Sequence, residues 1–147
     1  MNELRDLYQE LILDHAKNPR NFGSLEGANR HAEGHNPLCG DMFSVFLVVQ
    51  DGQVLDAKFQ GHGCAISTAS ASMTTEAIRG KTVEEAKKLL DDLHGAIMDS
   101  EPRQYDFDRL NALMGVKEFP MRVKCATLAW HAVQAALEGD GLQVSTE

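Results

Sequence analysis

The chain has 147 residues, of which 43% are hydrophobic and 24% charged, and its 22 acidic residues against 14 basic ones give a net charge of −8. A net negative charge argues against nucleic acid or an anionic membrane as the main partner. No apolar run approaches the ~20 residues of a membrane span, and the N-terminus lacks the basic and apolar parts of a signal peptide. We therefore expect a cytoplasmic protein with one domain over residues 1–147.

The first half of the chain predicts one helix followed by antiparallel strands. Apolar residues at helical spacing predict a first helix that ends before Pro19. Residues 42–49 are rich in Val and Phe and residues 54–60 alternate, with an Asp-Gly turn signal between them, so they predict a β-hairpin. A further short strand is weakly signalled around residues 28–33.

The second half predicts mainly helices. A pattern rich in Ala, Ser and Thr covers residues 64–79, and a capping box at residues 82–85 starts the next helix. A short helix is expected over residues 106–114, a long one after Pro120, and a frayed tail after Gly139. This order predicts an α+β fold in which a small antiparallel sheet of about three strands is packed by helices.

The three cysteines carry the chemical signal. Cys39 precedes the predicted β-hairpin. Cys64 begins a predicted helix after two glycines, and Cys125 lies near the start of the last predicted helix. A helix start favours a thiolate, and cytoplasmic thiols stay reduced. We therefore expect a metal site or a reactive thiol site, and not a disulfide.

A zinc site takes four ligands and prefers thiolates, so the cysteines leave one position open. Asp41 is the obvious fourth ligand because it lies two residues after Cys39, and His62 competes for the position through its flexible flanking glycines. Three thiolates and one carboxylate around Zn²⁺ leave a charge that Arg122 and Lys124 can offset. The residue pattern alone leaves zinc and an iron–sulfur cluster open.

Three motifs then resemble one known family. They are residues 36–41 (NPLCGD), 61–67 (GHGCAIS) and 122–130 (RVKCATLAW), each with one cysteine, and residues 14–20 (DHAKNPR) add an N-terminal match. Together they resemble the IscU-like iron–sulfur cluster assembly family over nearly the whole chain.

Within that family the chain is most similar to the SufU-type branch. IscU members carry a histidine directly before the third cysteine, where this chain has Lys124, and residues 98–118 provide the extra length typical of SufU. Residues 118–124 (EFPMRVK) replace the proline-rich motif by which IscU docks its chaperone.

The resemblance implies a zinc-dependent sulfurtransferase with an IscU-like fold. It implies that zinc is bound by Cys39, Asp41, Cys64 and Cys125. It also implies that sulfur is accepted from the persulfide of a PLP-dependent, SufS-like cysteine desulfurase and passed to downstream iron–sulfur assembly proteins. We expect Cys39 to be the catalytic residue, because its segment is flanked by Gly and Pro while the other two cysteines belong to helices.

Two alternatives remain at this point. The same four ligands can hold a [2Fe–2S] cluster, which would make the protein an assembly scaffold. From another class, it can be an interaction module with a purely structural zinc.

Overall fold

The computed structural model describes residues 3–36, 40–98, 108–117, 119–139 and 143–145. The elements follow one another in the order helix, three strands, two helices, a 3₁₀ helix, a helix and a last strand. The bounds are α1 (Glu3–Lys17), β1 (Arg30–Asn36), β2 (Asp41–Gln50), β3 (Gln53–His62), α2 (Ala65–Ile78), α3 (Val83–Met98), the 3₁₀ helix η1 (Asp108–Val116), α4 (Pro120–Glu138) and β4 (Gln143–Ser145).

The sheet has the strand order β3-β2-β1-β4. Strands β1, β2 and β3 pair antiparallel, which confirms the predicted fold class. The tail, expected to fray, instead supplies β4, which pairs parallel with β1. Three residues are too few to show alternation, so this strand depends on the exposed hydrogen-bonding edge of β1 and not on a local signal.

The register of the sheet brings two distant segments to one end. Asn36 of β1 is opposite Asp41 of β2, and Met42 is opposite His62 at the end of β3. Gly61 permits this pairing: its φ is +136°, and a Cβ there would lie 2.1 Å from the carbonyl oxygen of Met42. The chain therefore leaves β3 beside Asp41 and enters α2.

One face of the sheet is covered by helices. Alternate residues of β2, namely Phe43, Val45 and Leu47, are buried, and the core continues into α4 through Leu128 and Trp130. Gly34 of β1 lies against α4, where an added Cβ would be 3.1 Å from Leu128. Helix α4 thus packs directly on β1 and β2, the strands that meet at Asn36 and Asp41.

Helix α2 is buried on most of its surface although it is rich in Ser and Thr. Its polar groups find partners within the fold: Ser70 Oγ donates to the carbonyl of Ala126 at 2.6 Å, and Trp130 Nε1 donates to Thr74 Oγ1 at 3.0 Å. His15 of α1 is completely buried, with Nδ1 2.7 Å from the Oγ of Ser72. Small side chains let these helices approach closely while their hydroxyls stay bonded.

The capping box is confirmed. The amide of Thr82 donates to Glu85 and the amide of Glu85 donates to Thr82 Oγ1, each at 3.0 Å.

A membrane-spanning helix was not expected, and none of the helices in the described ranges is both long enough and apolar enough to be one.

Candidate metal centre

Three potential ligands converge where the sheet meets α2 and α4. One carboxylate oxygen of Asp41 and the sulfurs of Cys64 and Cys125 all lie within 4.8 Å of one another. Within the described part of the chain, no other three Cys, His, Asp or Glu side chains come so close together. Strand β2, the N-terminus of α2 and the first turns of α4 each contribute one of these groups.

Asp41 is completely buried and its carboxylate is held on both sides. Oδ1 accepts a 2.9 Å hydrogen bond from the amide of Cys64, and Oδ2 accepts a 2.6 Å bond from Ser67 Oγ. Gly63 lies against the same carboxylate, since a Cβ there would be 2.7 Å from Oδ1. The side chain is therefore locked in direction before any ion binds.

Cys64 is the N-cap of α2, and its side chain is the exposed member of the cluster. Its sulfur accepts from the amide of Ser67 at 3.4 Å, and the Ser67 hydroxyl lies at the same distance. Unpaired amides and the positive end of the helix dipole favour negative charge at such a position.

Cys125 is the buried sulfur of the group. Burial raises the pKa of its thiol, and the neighbouring Cys64 and the carboxylate of Asp41 raise it further, while a hydrogen bond involving Ser67 acts in the opposite direction. Three acidic groups packed together oppose one another's ionisation. A divalent cation removes that conflict, and tetrahedral zinc with Zn–S bonds of about 2.3 Å needs its donor atoms roughly 3.3–3.8 Å apart. The Cys64 sulfur lies 3.9 Å from Oδ2 of Asp41, close to this spacing, so the three residues suit a divalent metal of this kind.

Other sequence candidates have different positions. Cys39 lies outside the described residues, so its role stays a prediction. His62 is exposed at the end of β3 and is not part of the cluster. Arg122 is exposed with its guanidinium 4.7 Å from the centre of the Phe119 ring, and Lys124 is half-buried. Compensation of the site charge by these two cations also stays a prediction.

Sequence reasoning missed Ser67 and Gly63. Ser67 belongs to the pattern rich in Ala, Ser and Thr that predicts α2, and it contacts both Asp41 and Cys64. A hydroxyl three residues after an N-cap is a recognisable local signal, but its contact with Asp41 depends on how β2 packs against α2. The glycines that flank His62 predict flexibility, whereas Gly63 leaves the space that the Asp41 carboxylate occupies.

The fold and the cluster define an α+β protein with a candidate site for a divalent metal, and comparison with known families gives its family. The family model for the NifU-like N terminal domain matches residues 7–139. The chain therefore belongs to the NifU-like N-terminal domain family, and the IscU-like resemblance is confirmed.

Individual relatives include both branches of the family. The zinc-dependent sulfurtransferase SufU of Bacillus subtilis (strain 168) is 44% identical over 135 residues, covering 89% of each chain. The iron–sulfur cluster assembly scaffold protein IscU of Streptococcus pyogenes serotype M1 is 39% identical over 139 residues, 94% of this chain and 87% of the relative. The crystal structure of FiSufU from Fervidobacterium islandicum AW-1 superposes with a TM-score of 0.81 at 35% identity, covering 90% of this chain and 98% of that one.

Proposed function

We propose that the protein is a zinc-dependent sulfurtransferase of the cytoplasm. It accepts sulfur from a PLP-dependent, SufS-like cysteine desulfurase and passes it to downstream proteins of iron–sulfur cluster assembly. The observation that carries the proposal is the convergence of Asp41, Cys64 and Cys125 within 4.8 Å. The similarity to a protein named as a zinc-dependent sulfurtransferase, and Lys124 directly before Cys125, favour this branch over the scaffold branch.

The proposed zinc ligands are Cys39, Asp41, Cys64 and Cys125. When bound, zinc keeps thiols deprotonated near neutral pH. Asp41 is held by Ser67 and by the amide of Cys64, so it keeps its direction whether or not every sulfur is engaged. Arg122 and Lys124 are the proposed cations that offset the excess negative charge of three thiolates and one carboxylate.

Sulfur transfer requires one thiolate to act as nucleophile. Cys64 caps α2 and Cys125 is buried in α4, so neither sulfur can move far without disturbing its helix. This leaves Cys39 as the proposed acceptor. Its thiolate attacks the outer sulfur of the desulfurase persulfide, a new S–S bond forms on Cys39, and the old S–S bond breaks with the desulfurase thiolate as leaving group. The sulfane sulfur changes carrier, so no external oxidant or reductant is needed.

Single-turnover sulfur transfer from a persulfide-loaded desulfurase tests the proposal. Cys39→Ser should fold normally and lose transfer, because no thiolate remains to form the new bond. His62→Gln is the matched control near the same site and should transfer normally. Transfer by Cys39→Ser at the wild-type rate would overturn the assignment of Cys39. A wild-type protein that accepts no sulfur, and that still stimulates the desulfurase after Cys39→Ser, would instead favour an interaction module with a structural zinc.

A [2Fe–2S] scaffold is the second candidate, and the 39% identity to a protein named as an IscU scaffold supports it. The two functions differ in what the protein contains after anaerobic purification. One zinc per chain and a colourless solution are expected for the sulfurtransferase. A coloured protein that contains iron and sulfide would favour the scaffold.

A further inference from the structure

A second group of potential ligands lies in a cavity between α3 and α4, apart from the cysteines. The cavity has a volume of about 310 Å³. It is lined by Leu90, Asp91, His94, Trp130, His131 and Gln134. Asp91 and His94 are three residues apart on α3, and His131 and Gln134 are three apart on α4, so each helix turns one pair of polar side chains towards the same space.

The two imidazoles have the separation that a shared ion requires. Their ring centres are 5.4 Å apart and the ring planes are inclined by 64°. A metal bonded to ring nitrogens at about 2.0–2.1 Å lies roughly 3.2 Å from each ring centre, which places two tetrahedrally arranged rings about 5.2 Å apart. We propose that His94 and His131 form a binding site for a divalent transition cation such as nickel, copper or zinc, with water completing the coordination.

The surroundings suit a cation bound by neutral imidazoles. Burial lowers the pKa of His131 and the neighbouring His94 lowers it further, so the ring keeps a free lone pair at neutral pH. Imidazole is a preferred ligand for these ions. Asp91 also lines the cavity, and its carboxylate adds a negative charge to the wall that faces a bound cation.

This site is separate from the cysteine cluster. Cys125 lies six residues before His131 on α4, which corresponds to about 9 Å along the helix axis and roughly a third of a turn around it. Each histidine is unremarkable on its own helix, and only the packing of α3 on α4 brings them together.

Trp130 provides a direct probe because it lines the cavity and is the single tryptophan of the chain. Its indole nitrogen already donates to Thr74, so the ring presents an apolar wall and is fixed in place. A paramagnetic ion bound beside it should quench its fluorescence.

The experiment titrates Ni²⁺ into protein that first received one equivalent of Zn²⁺, and follows tryptophan fluorescence. The wild type should show saturable quenching. His94→Gln and His131→Gln should each weaken it by on the order of tenfold or more, because either change removes one of two protein ligands. His31→Gln removes an exposed histidine on β1 and should titrate as the wild type does.

Two results would overturn the proposal. One is the absence of saturable quenching in the wild type. The other is quenching of equal affinity in both variants, as expected if nickel replaces zinc at the cysteines. His94 is exposed, so His94→Gln keeps the test valid even if His131→Gln fails to fold, and thermal unfolding of each variant checks this. The outcome does not depend on the sulfurtransferase activity.

Discussion

Ser67 donates a 2.6 Å hydrogen bond to Oδ2 of Asp41, although 26 positions separate the two residues in the chain. The same hydroxyl lies 3.4 Å from the sulfur of Cys64, so a side chain that ligates nothing contacts two of the proposed ligands. Such bonds to a metal-bound carboxylate usually orient it and tune its affinity.

Ser67→Ala should weaken zinc binding by about tenfold to a hundredfold, because the Asp41 carboxylate loses a bond that fixes its direction. Competition with a chromophoric chelator measures the effect. Thr68→Ala, at the neighbouring half-buried position of α2, is the control and should bind zinc as the wild type does. Equal affinities for all three proteins would show that Ser67 does not position the ligand.

Asp41→Asn should lower zinc affinity more than His62→Gln does. Asparagine keeps the size of the side chain but removes the charge, and His62 is exposed and outside the cluster of ligand atoms. Zinc content after dialysis against a weak chelator ranks the two variants. The reverse order would identify His62 as the fourth ligand.

Gly63→Ala should destabilise the protein by about 1–3 kcal/mol and loosen zinc binding, as overpacking of a filled site does. The new Cβ would lie 2.7 Å from Asp41 Oδ1 and 2.9 Å from the Phe43 ring, and that carboxylate has no freedom to move aside. Chemical denaturation and zinc titration measure the two effects. Gly115→Ala is the control because nothing lies within 4 Å of its added Cβ. A Gly63 variant as stable as this control would contradict the measured crowding.

Glu85→Gln should destabilise α3 at neutral pH but not in acid. The pKa of Glu85 is held below its ordinary value of 4.5 by hydrogen bonds with Thr82. The bond with the Thr82 backbone has the larger effect and the bond with its side chain the smaller one. A depressed pKa stabilises the folded state above pH 4.5, and the contribution is lost as the pH falls through the lower folded value. The melting temperatures of wild type and variant, both with chelator, should therefore differ at pH 7 and converge as the pH falls through the lowered pKa of Glu85.

The control for this comparison is Glu84→Gln, which removes a carboxylate from the same first turn outside the capping box. The difference in melting temperature between this variant and the wild type should change less with pH. If the Glu85 variant kept its full difference in acid, the carboxylate would not be the group responsible.

Local signals in the sequence predicted most of the secondary structure. The Asp-Gly turn and its flanking apolar residues predicted the β2–β3 hairpin, and the Thr82–Glu85 pair predicted the start of α3. These signals are short in range, because a turn or a cap depends on neighbours a few residues away. Strand β4 had no such signal, since it forms only on the edge that β1 offers.

For the site, the sequence identified the residue types and the motifs that carry them, but not their arrangement. Cys64 and Asp41 were chosen as ligands from thiol and carboxylate chemistry and from the family motifs. The bond from the Cys64 amide to Asp41 requires β2 and β3 to be in register, and that pairing is a property of the folded sheet.

The amino-acid sequence by itself determined the α+β class, the family and the three thiols available for chemistry, because periodicity, caps and motifs are encoded within short segments. Only the tertiary structure decided that Ser67 holds the Asp41 carboxylate while Gly63 leaves space for it, and that His94 faces His131 across the α3–α4 cavity. Such contacts join residues from separate elements, and their distances depend on how buried surfaces pack.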